Sequence, residues 1–154
     1  RSALGAQAAA SHTASLAGDD AVYDAVFSQY GAYRARDIEE FFSVAQVAAV
    51  ADLPRNGRTA LFTLSGGVGA FMADEADAIG LDVAELPQPA QRAILDLVPF
   101  AAPRNPVDIT GQVTNDLTLI ERATRICLDA GDHGSWIGFM AAAGAGDAFW
   151  PVLE

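Results

Sequence analysis

Between Thr59 and Gly80 the chain reads TALFTLSGGVGAFMADEADAIG. Apolar and β-branched residues run from Thr59 to Leu64, Gly66, Gly67 and Gly69 follow, and a stretch of helix formers continues to Gly80. A buried strand, a glycine-rich turn and a helix N-terminus in immediate succession demand an α/β fold, because the helix has to return over the sheet its strand belongs to. They also leave the first N–H groups of the helix without intrahelical acceptors at the carboxyl end of the strand, where the aligned peptide dipoles favour an anion. Ser65, Gly66, Gly67, Val68 and Gly69 are therefore candidate phosphate-binding residues, with a tight turn that binds nothing as the simplest alternative. A dinucleotide fingerprint fits less well. Gly67-Val-Gly69-Ala-Phe-Met72 puts Met where the motif needs a small residue, although Glu85 stands at a suitable distance to meet a ribose.

The rest of the chain alternates in the same way. Leu81–Leu86 suits a second strand, a helix is expected around Ala90–Val98, and Pro99–Gly111 is a proline-bounded loop. Thr114 or Asn115 starts a further helix with Leu117, Ile120, Thr124, Cys127 and Leu128 turned inward and Gly131 as its stop. Ser135–Ala142 (SWIGFMAA) reads as a strand buried on both faces, as parallel sheets require. Strands alternating with helices imply a doubly wound parallel sheet with right-handed crossovers.

Upstream, Arg1–Gly18 is rich in Ala, Ser and Gly and contains a loop at Ser11–Gly18. Asp19 and Asp20 open a helix carrying Tyr23, Phe27 and Tyr30 at i, i+4 and i+7, with Gly31 as its stop. A short strand at Ala32–Arg36 follows. Asp37, with Glu40 three residues later, has the pattern of a capping box ahead of a helix with Ile38, Phe41, Phe42, Ala45, Ala48 and Ala49 on one face. Asp52–Arg58 (DLPRNGR) combines Pro, Asn-Gly and charges between two periodic segments, and this expected linker divides the chain into residues 1–52 and 53–154.

Composition narrows the function. The formal net charge of -11 argues against a nucleic-acid partner, whose backbone needs clustered cations. All 9 basic side chains are arginine, so the chain holds no P-loop, Schiff-base or general-base lysine. No apolar run approaches the roughly 20 residues that span a bilayer, and no signal-like stretch opens the sequence. With a single cysteine, Cys127, the expectation is a cytoplasmic protein without a membrane partner. There is no initiator Met, and Gly146–Glu154 (GDAFWPVLE) reads as a helix just begun, so a piece of a longer protein is expected.

His12 stands in ASHTASLAG among small residues, with hydroxyls at Ser11, Thr13 and Ser15. A loop histidine is ordinarily a surface residue. Its neutral imidazole can nonetheless attack phosphorus or act as a base, and small neighbours admit a large substrate. It has no Cys or carboxylate partners at metal-ligand spacing, and no G-x-S-x-G elbow supports a serine triad. In Asn105–Gly111 (NPVDITG), Asn-Pro initiates a turn and Asp108 is suited to bonding within that loop, which can also border a site. Cys127 on an apolar helix face reads as core, and His133 as a surface residue.

Together these segments resemble a known family. Arg1-Ser2-Ala-Leu-Gly5, Ala8-Ala9-Ala10-Ser11-His12-Thr13-Ala-Ser15-Leu16-Ala17-Gly18-Asp19 and Ala21-Val22-Tyr23-Asp24-Ala25-Val26-Phe27 are similar to the phosphohistidine segment of NDP-forming acyl-CoA synthetases, relatives of succinyl-CoA synthetase. Ser65–Gly69 and Asn105–Gly111 look like that family's next, flavodoxin-like domain. The resemblance implies that residues 1–52 end a succinyl-CoA synthetase-like domain and that 53–154 form a truncated flavodoxin-like ligase domain. It implies that carboxylic acid, CoA and ATP are converted to acyl-CoA, ADP and phosphate through an acyl phosphate and a phosphorylated His12. Ser65–Gly69 would then cradle the phosphoryl group, and Ser11, Thr13, Asn105 and Asp108 would lie near it. CoA, ATP or ADP, phosphate and the nucleotide's Mg2+ would bind mainly outside this chain, on CoA-binding and ATP-grasp domains of the parent. Position 14 is Ala where the family usually has Gly. A non-catalytic CoA- or nucleotide-sensing module, for example one attached to a protein acetyltransferase, would keep the same outline. A sheet edge exposed by truncation offers a route to a homo-oligomer.

Overall fold

The computed structural model describes residues 4–5, 7–8 and 19–146, without the side chain at 142. His12, Ser11 and Thr13, with the rest of the expected loop, lie outside the described residues, as do residues 147–154. The chain divides into two compact units, Arg1–Leu53 and Pro54–Glu154.

The first unit holds helix α1 (Asp20–Tyr30) and helix α2 (Ile38–Val50). Asp19 caps α1 by accepting from the Ala21 N–H at 3.0 Å. Gly31, at φ 65, closes the helix in the left-handed region that L side chains avoid. Ala32–Arg36 is not a strand. Among the described residues of this unit no other strand exists for it to pair with, and Arg34 instead folds back to Asp20 and Asp24 at 2.8 and 2.6 Å. Asp37 accepts from the Glu40 N–H at 2.8 Å, the first half of the expected capping box. The second half is displaced by one residue, because Glu40 accepts from the N–H of Arg36 rather than that of Asp37. The expected apolar face of α2 is present but uncovered, with Phe41 and Phe42 54% and 64% exposed.

In the second unit, strand β1 (Thr59–Thr63) is buried throughout and leads through Ser65 into helix α3 (Gly66–Ala78). Helix α4 (Gln88–Leu97), strand β2 (Val107–Asp108), a 3-10 turn (Gly111–Asn115), helix α5 (Leu117–Asp129) and strand β3 (Ser135–Phe139) follow. The sheet is parallel, in the order β2-β1-β3, with Phe62 opposite both Val107 and Gly138. Alternation turns Phe62 and Leu64 toward a core shared with Ile94 of α4, Val98 just past its end, and Ile120 and Cys127 of α5. The opposite face carries Thr63, which α3 approaches closely. Helices thus cover both faces of a parallel sheet, the expected α/β class.

Several expectations fail, each for a local reason. Leu81–Leu86 forms no strand. It makes a single parallel bridge, Arg58 with Asp82, before Leu86 turns into the core. The β1 edge beside it is occupied by the Asn105 side chain, whose Oδ1 accepts from Leu61 N–H and whose Nδ2 donates to the carbonyls of Thr59 and Ala84, each at 2.8 Å. The loop Pro99–Gly111 hides β2, too short to show a period. The helix expected from Thr114 or Asn115 starts at Leu117, because Asp116 caps it by accepting from the Thr118 N–H at 3.0 Å. Leu128 is 58% exposed rather than inward. The strand expected at Ser135–Ala142 ends at Phe139 and is not buried on both faces, since β3 lies at the edge of this sheet with Ile137 and Phe139 half-exposed. Among the described residues, no helix is long and apolar enough to cross a membrane.

Candidate functional site

The carboxyl ends of β1 and β2 meet at Thr63 and Asp108, which are register partners. The Thr63 hydroxyl accepts from the Ser65 N–H at 3.0 Å and donates to the Ser65 carbonyl at 3.2 Å, holding the turn against the strand. Ser65 then takes the N-cap position of α3 without using its side chain as a cap. The first helical bond is from the Gly69 N–H to the Ser65 carbonyl at 2.9 Å. The N–H groups of Gly66, Gly67 and Val68 therefore remain free for a ligand among the described residues. Thirteen residues of aligned dipoles stand behind them, contributing about 0.3–2 kcal/mol toward a nearby negative charge.

The glycines differ in purpose. A Cβ on Gly69 would lie 3.2 Å from Thr63 Cγ2 and 3.7 Å from Pro106 Cβ, so this glycine lets the helix pack on the sheet. A Cβ on Gly66 would lie 3.1 Å from Asp108 Oδ2. A Cβ on Gly67 would meet nothing within 4 Å, which leaves the exposed turn open to an approaching group. Asp108 is half-buried, and its Oδ1 accepts from the Thr110 N–H at 2.8 Å. Thr110 adopts φ 64, a conformation a β-branched residue rarely takes, and thereby aims its N–H at the carboxylate.

Ser65–Gly69 and Asp108 thus come together at one end of the sheet. Asn105, at the start of a cis Asn105–Pro106 bond, lies farther back along β1 and acts as a substitute strand. Thr63 and Thr110 also shape the cradle. Sequence reading passed over both, although Thr110 was visible inside the Asp-Ile-Thr-Gly run. Glu85 pairs with Arg104 at 3.5 Å. Cys127 is core, as expected, and burial pushes its thiol up to about 12. His133 departs from its surface assignment: it is half-buried, with Nε2 3.2 Å from the Ala84 carbonyl oxygen. Among the described residues no group of three or more His, Cys, Asp or Glu is arranged to hold a metal ion.

A parallel sheet covered by helices, with a helix N-terminus that lacks a side-chain cap at its carboxyl edge, defines the class, an α/β protein. Comparisons supply the family. The model for the "succinyl-CoA ligase like flavodoxin domain" matches residues 1–48, a part of the first unit. The chain is 43% identical over 110 residues to the alpha subunit of an ADP-forming acetate–CoA ligase II from Pyrococcus furiosus, covering 71% of this chain and 24% of that protein. It is 35% identical over 111 residues to an ADP-forming 4-hydroxybutyrate–CoA ligase from Nitrosopumilus maritimus, covering 72% of this chain and 16% of that one. A crystal structure from Pyrococcus horikoshii OT3 matches with a TM-score of 0.69 at 31% identity, covering 80% of this chain and 28% of the other. The fold also matches, with a TM-score of 0.70 at 24% identity, an acetyl-coenzyme A synthetase 1 of Ca. Korarchaeum cryptofilum in complex with phosphate and ADP, covering 98% of this chain and 39% of that one. The chain is a partial segment of the ADP-forming acyl-CoA synthetase family, and it spans about a quarter of the length of the Pyrococcus furiosus relative.

Proposed function

We propose that this chain is the phosphoryl-transfer segment of an ADP-forming acyl-CoA ligase. In that reading ATP phosphorylates His12, the phosphohistidine transfers its phosphoryl group to a carboxylate, and CoA attacks the resulting acyl phosphate to give acyl-CoA and free phosphate. Residues 1–52 carry the histidine loop, with Ser11 and Thr13 supplying hydroxyls to the phosphoryl oxygens, and residues 53–154 supply the cradle at Ser65–Gly69. CoA and the Mg2+-bound nucleotide bind to other parts of the parent protein, and a reaction fed by ATP and CoA belongs in the cytoplasm.

The observation that carries this reading is the set of three free N–H groups at the start of α3, beside the carboxyl end of the sheet. Their partial charges are fixed in place before the reaction, so stabilising the transferred group needs no reorganisation. Asp108 refines the reading. A free phosphate next to Asp108 Oδ2 is repelled by the carboxylate, so the charge beside Gly66 works against inorganic phosphate as the cradle's ligand.

The test is incorporation of acid-labile, base-stable phosphate from labelled ATP into the full-length parent, comparing native protein with His12→Asn. Label in the native protein and none in the variant is expected. Absence of label in a folded native protein that binds nucleotide would overturn the phosphohistidine mechanism and favour a sensing module.

A further inference from the structure

Thr63 ends β1, the central strand, with Asp108 of β2 on one side and Phe139 of β3 on the other. Its carbonyl accepts from the Ile109 N–H at 3.1 Å, and the Leu64 N–H donates to the Phe139 carbonyl at 3.4 Å, so the sheet grips the chain here from both edges. The Thr63 side chain is fully buried. Its methyl group faces Gly69, where a Cβ would lie 3.2 Å away, and β-branching leaves it little rotational freedom. A hydroxyl held this firmly is directed wholly at one residue, accepting from the Ser65 N–H and donating to the Ser65 carbonyl.

The same Ser65 carbonyl accepts from the Gly69 N–H at 2.9 Å, so two donors fix its direction. The peptide that follows is planar and trans, the one cis bond among the described residues being Asn105–Pro106, and the Gly66 N–H therefore points opposite to that carbonyl. Gly66 and Gly67 restrain the backbone little by themselves, and the Ser65 side chain makes no capping bond. The Thr63 hydroxyl supplies the restraint from behind, where it occupies none of the three free N–H groups of α3. We propose that Thr63 is a positioning residue for the cradle: without touching the ligand, its buried hydroxyl aims the Gly66 N–H toward the phosphoryl group. This role rests on the proposed function. There a free imidazole nitrogen of His12 bonds to the γ-phosphorus of ATP, the bond from that phosphorus to the β,γ-bridging oxygen breaks, and ADP leaves with the electron pair while the ring keeps its N–H. A donor aimed beforehand stabilises the transferred oxygens without reorganisation, whereas a peptide free to swing has to be turned at every event.

The experiment is the rate of acid-labile, base-stable labelling of the full-length parent over a range of ATP concentrations, for native protein, Thr63→Val, Thr63→Ala and Thr63→Ser, with folding checked by circular dichroism. Thr63→Val replaces the hydroxyl by a methyl group of similar size. Thr63→Ala differs from Thr63→Ser by the hydroxyl alone, and that pair decides should Thr63→Val not fold. Both hydroxyl-free variants are expected to lower the limiting rate by about 10-fold or more, less than the roughly 10²–10³ that follows removal of a whole oxyanion donor. The half-saturating ATP concentration should stay within about twofold of native, because the nucleotide binds elsewhere in the parent. Thr63→Ser is expected to bring the limiting rate back to within about threefold of native, which a packing defect would not allow, since serine lacks the methyl group. An unchanged limiting rate in Thr63→Val and Thr63→Ala, a loss that Thr63→Ser does not restore, or a change confined to half-saturating ATP overturns the positioning role and leaves the proposed function standing. A native parent that takes up no label overturns both.

Discussion

Gly134→Ala is expected to be the most damaging single-methyl change in the second unit. A Cβ at that position would stand 2.3 Å from the Asn56 carbonyl oxygen, 2.7 Å from its nitrogen and 3.0 Å from its carbonyl carbon. All three are backbone atoms, so no side-chain rotation relieves the contact, and one of two chain segments has to move by most of an ångström. Both are tethered. The Gly134 N–H donates to the Arg58 carbonyl at 2.8 Å, and Asn56 Nδ2 donates to the Asp132 carbonyl at 3.0 Å. Overpacking of this kind costs about 1–3 kcal/mol. Loss of one of the tethering hydrogen bonds adds about 0.5–1.5 kcal/mol. The sum, about 1.5–4.5 kcal/mol, lowers the melting temperature of a unit of this size by at least about 6 °C. Thermal unfolding followed by circular dichroism measures it, with Gly67→Ala as the control, because a Cβ there meets nothing within 4 Å and helix propensity favours alanine. Equal melting temperatures for Gly134→Ala and the native chain would refute the steric reasoning.

Asn105→Ala removes one acceptor and two donors that serve Leu61, Thr59 and Ala84, and should destabilise the second unit by about 2–4 kcal/mol, read as a lower urea midpoint at unchanged slope. Arg36 first, with help from the Tyr33 hydroxyl, holds the Glu40 carboxyl down to about 2. Because the folded value is depressed, the interaction stabilises fully above pH 4.5 and is lost as pH falls from there toward 2, so helical signal from the first unit should decline across that window in native protein and less steeply in Glu40→Gln. The exposure of Arg36 also makes the effect weaken with added salt. Burial raises the Cys127 thiol to about 12, so alkylation by iodoacetamide at pH 8 should be slow in the folded chain and rapid in urea; fast labelling without urea would contradict the packing.

What could be read from the residues was what depends on neighbours in sequence. Thr59–Thr63 is apolar or β-branched throughout, and the glycines after it start a helix wherever the sheet lies, so β1, the turn and α3 were legible. The Asp19 and Asp37 caps were legible for the same reason, since a cap reaches only two or three residues. What failed depends on partners far along the chain. Leu81–Leu86 has strand-forming residues, yet Asn105, over twenty positions away, takes the backbone groups it would have paired with or near. Val107–Asp108 has only two residues of pattern, and its pairing to β1 comes from the proline-bounded turn that delivers it.

The candidate site divides along the same line. Ser65–Gly69 announces itself by composition, whereas the part of the cradle that selects a ligand arrives from β2. Asp108 reaches Gly66 because Phe62 and Thr63 set the register of Val107 and Asp108, and Thr110 accepts a left-handed conformation to hold the carboxylate there. If Asp108 were only a structural brace for Thr110, Asp108→Asn would preserve an acceptor oxygen for that N–H and change little. If its charge beside Gly66 instead governs the ligand, Asp108→Asn should tighten binding of inorganic phosphate at the start of α3 by about 5-fold, read by ³¹P NMR titration with thermal stability nearly unchanged, because about 1 kcal/mol of like-charge repulsion is removed. An unaltered phosphate affinity in Asp108→Asn would leave the helix N-terminus as the sole determinant of anion binding and reduce Asp108 to the brace of Thr110.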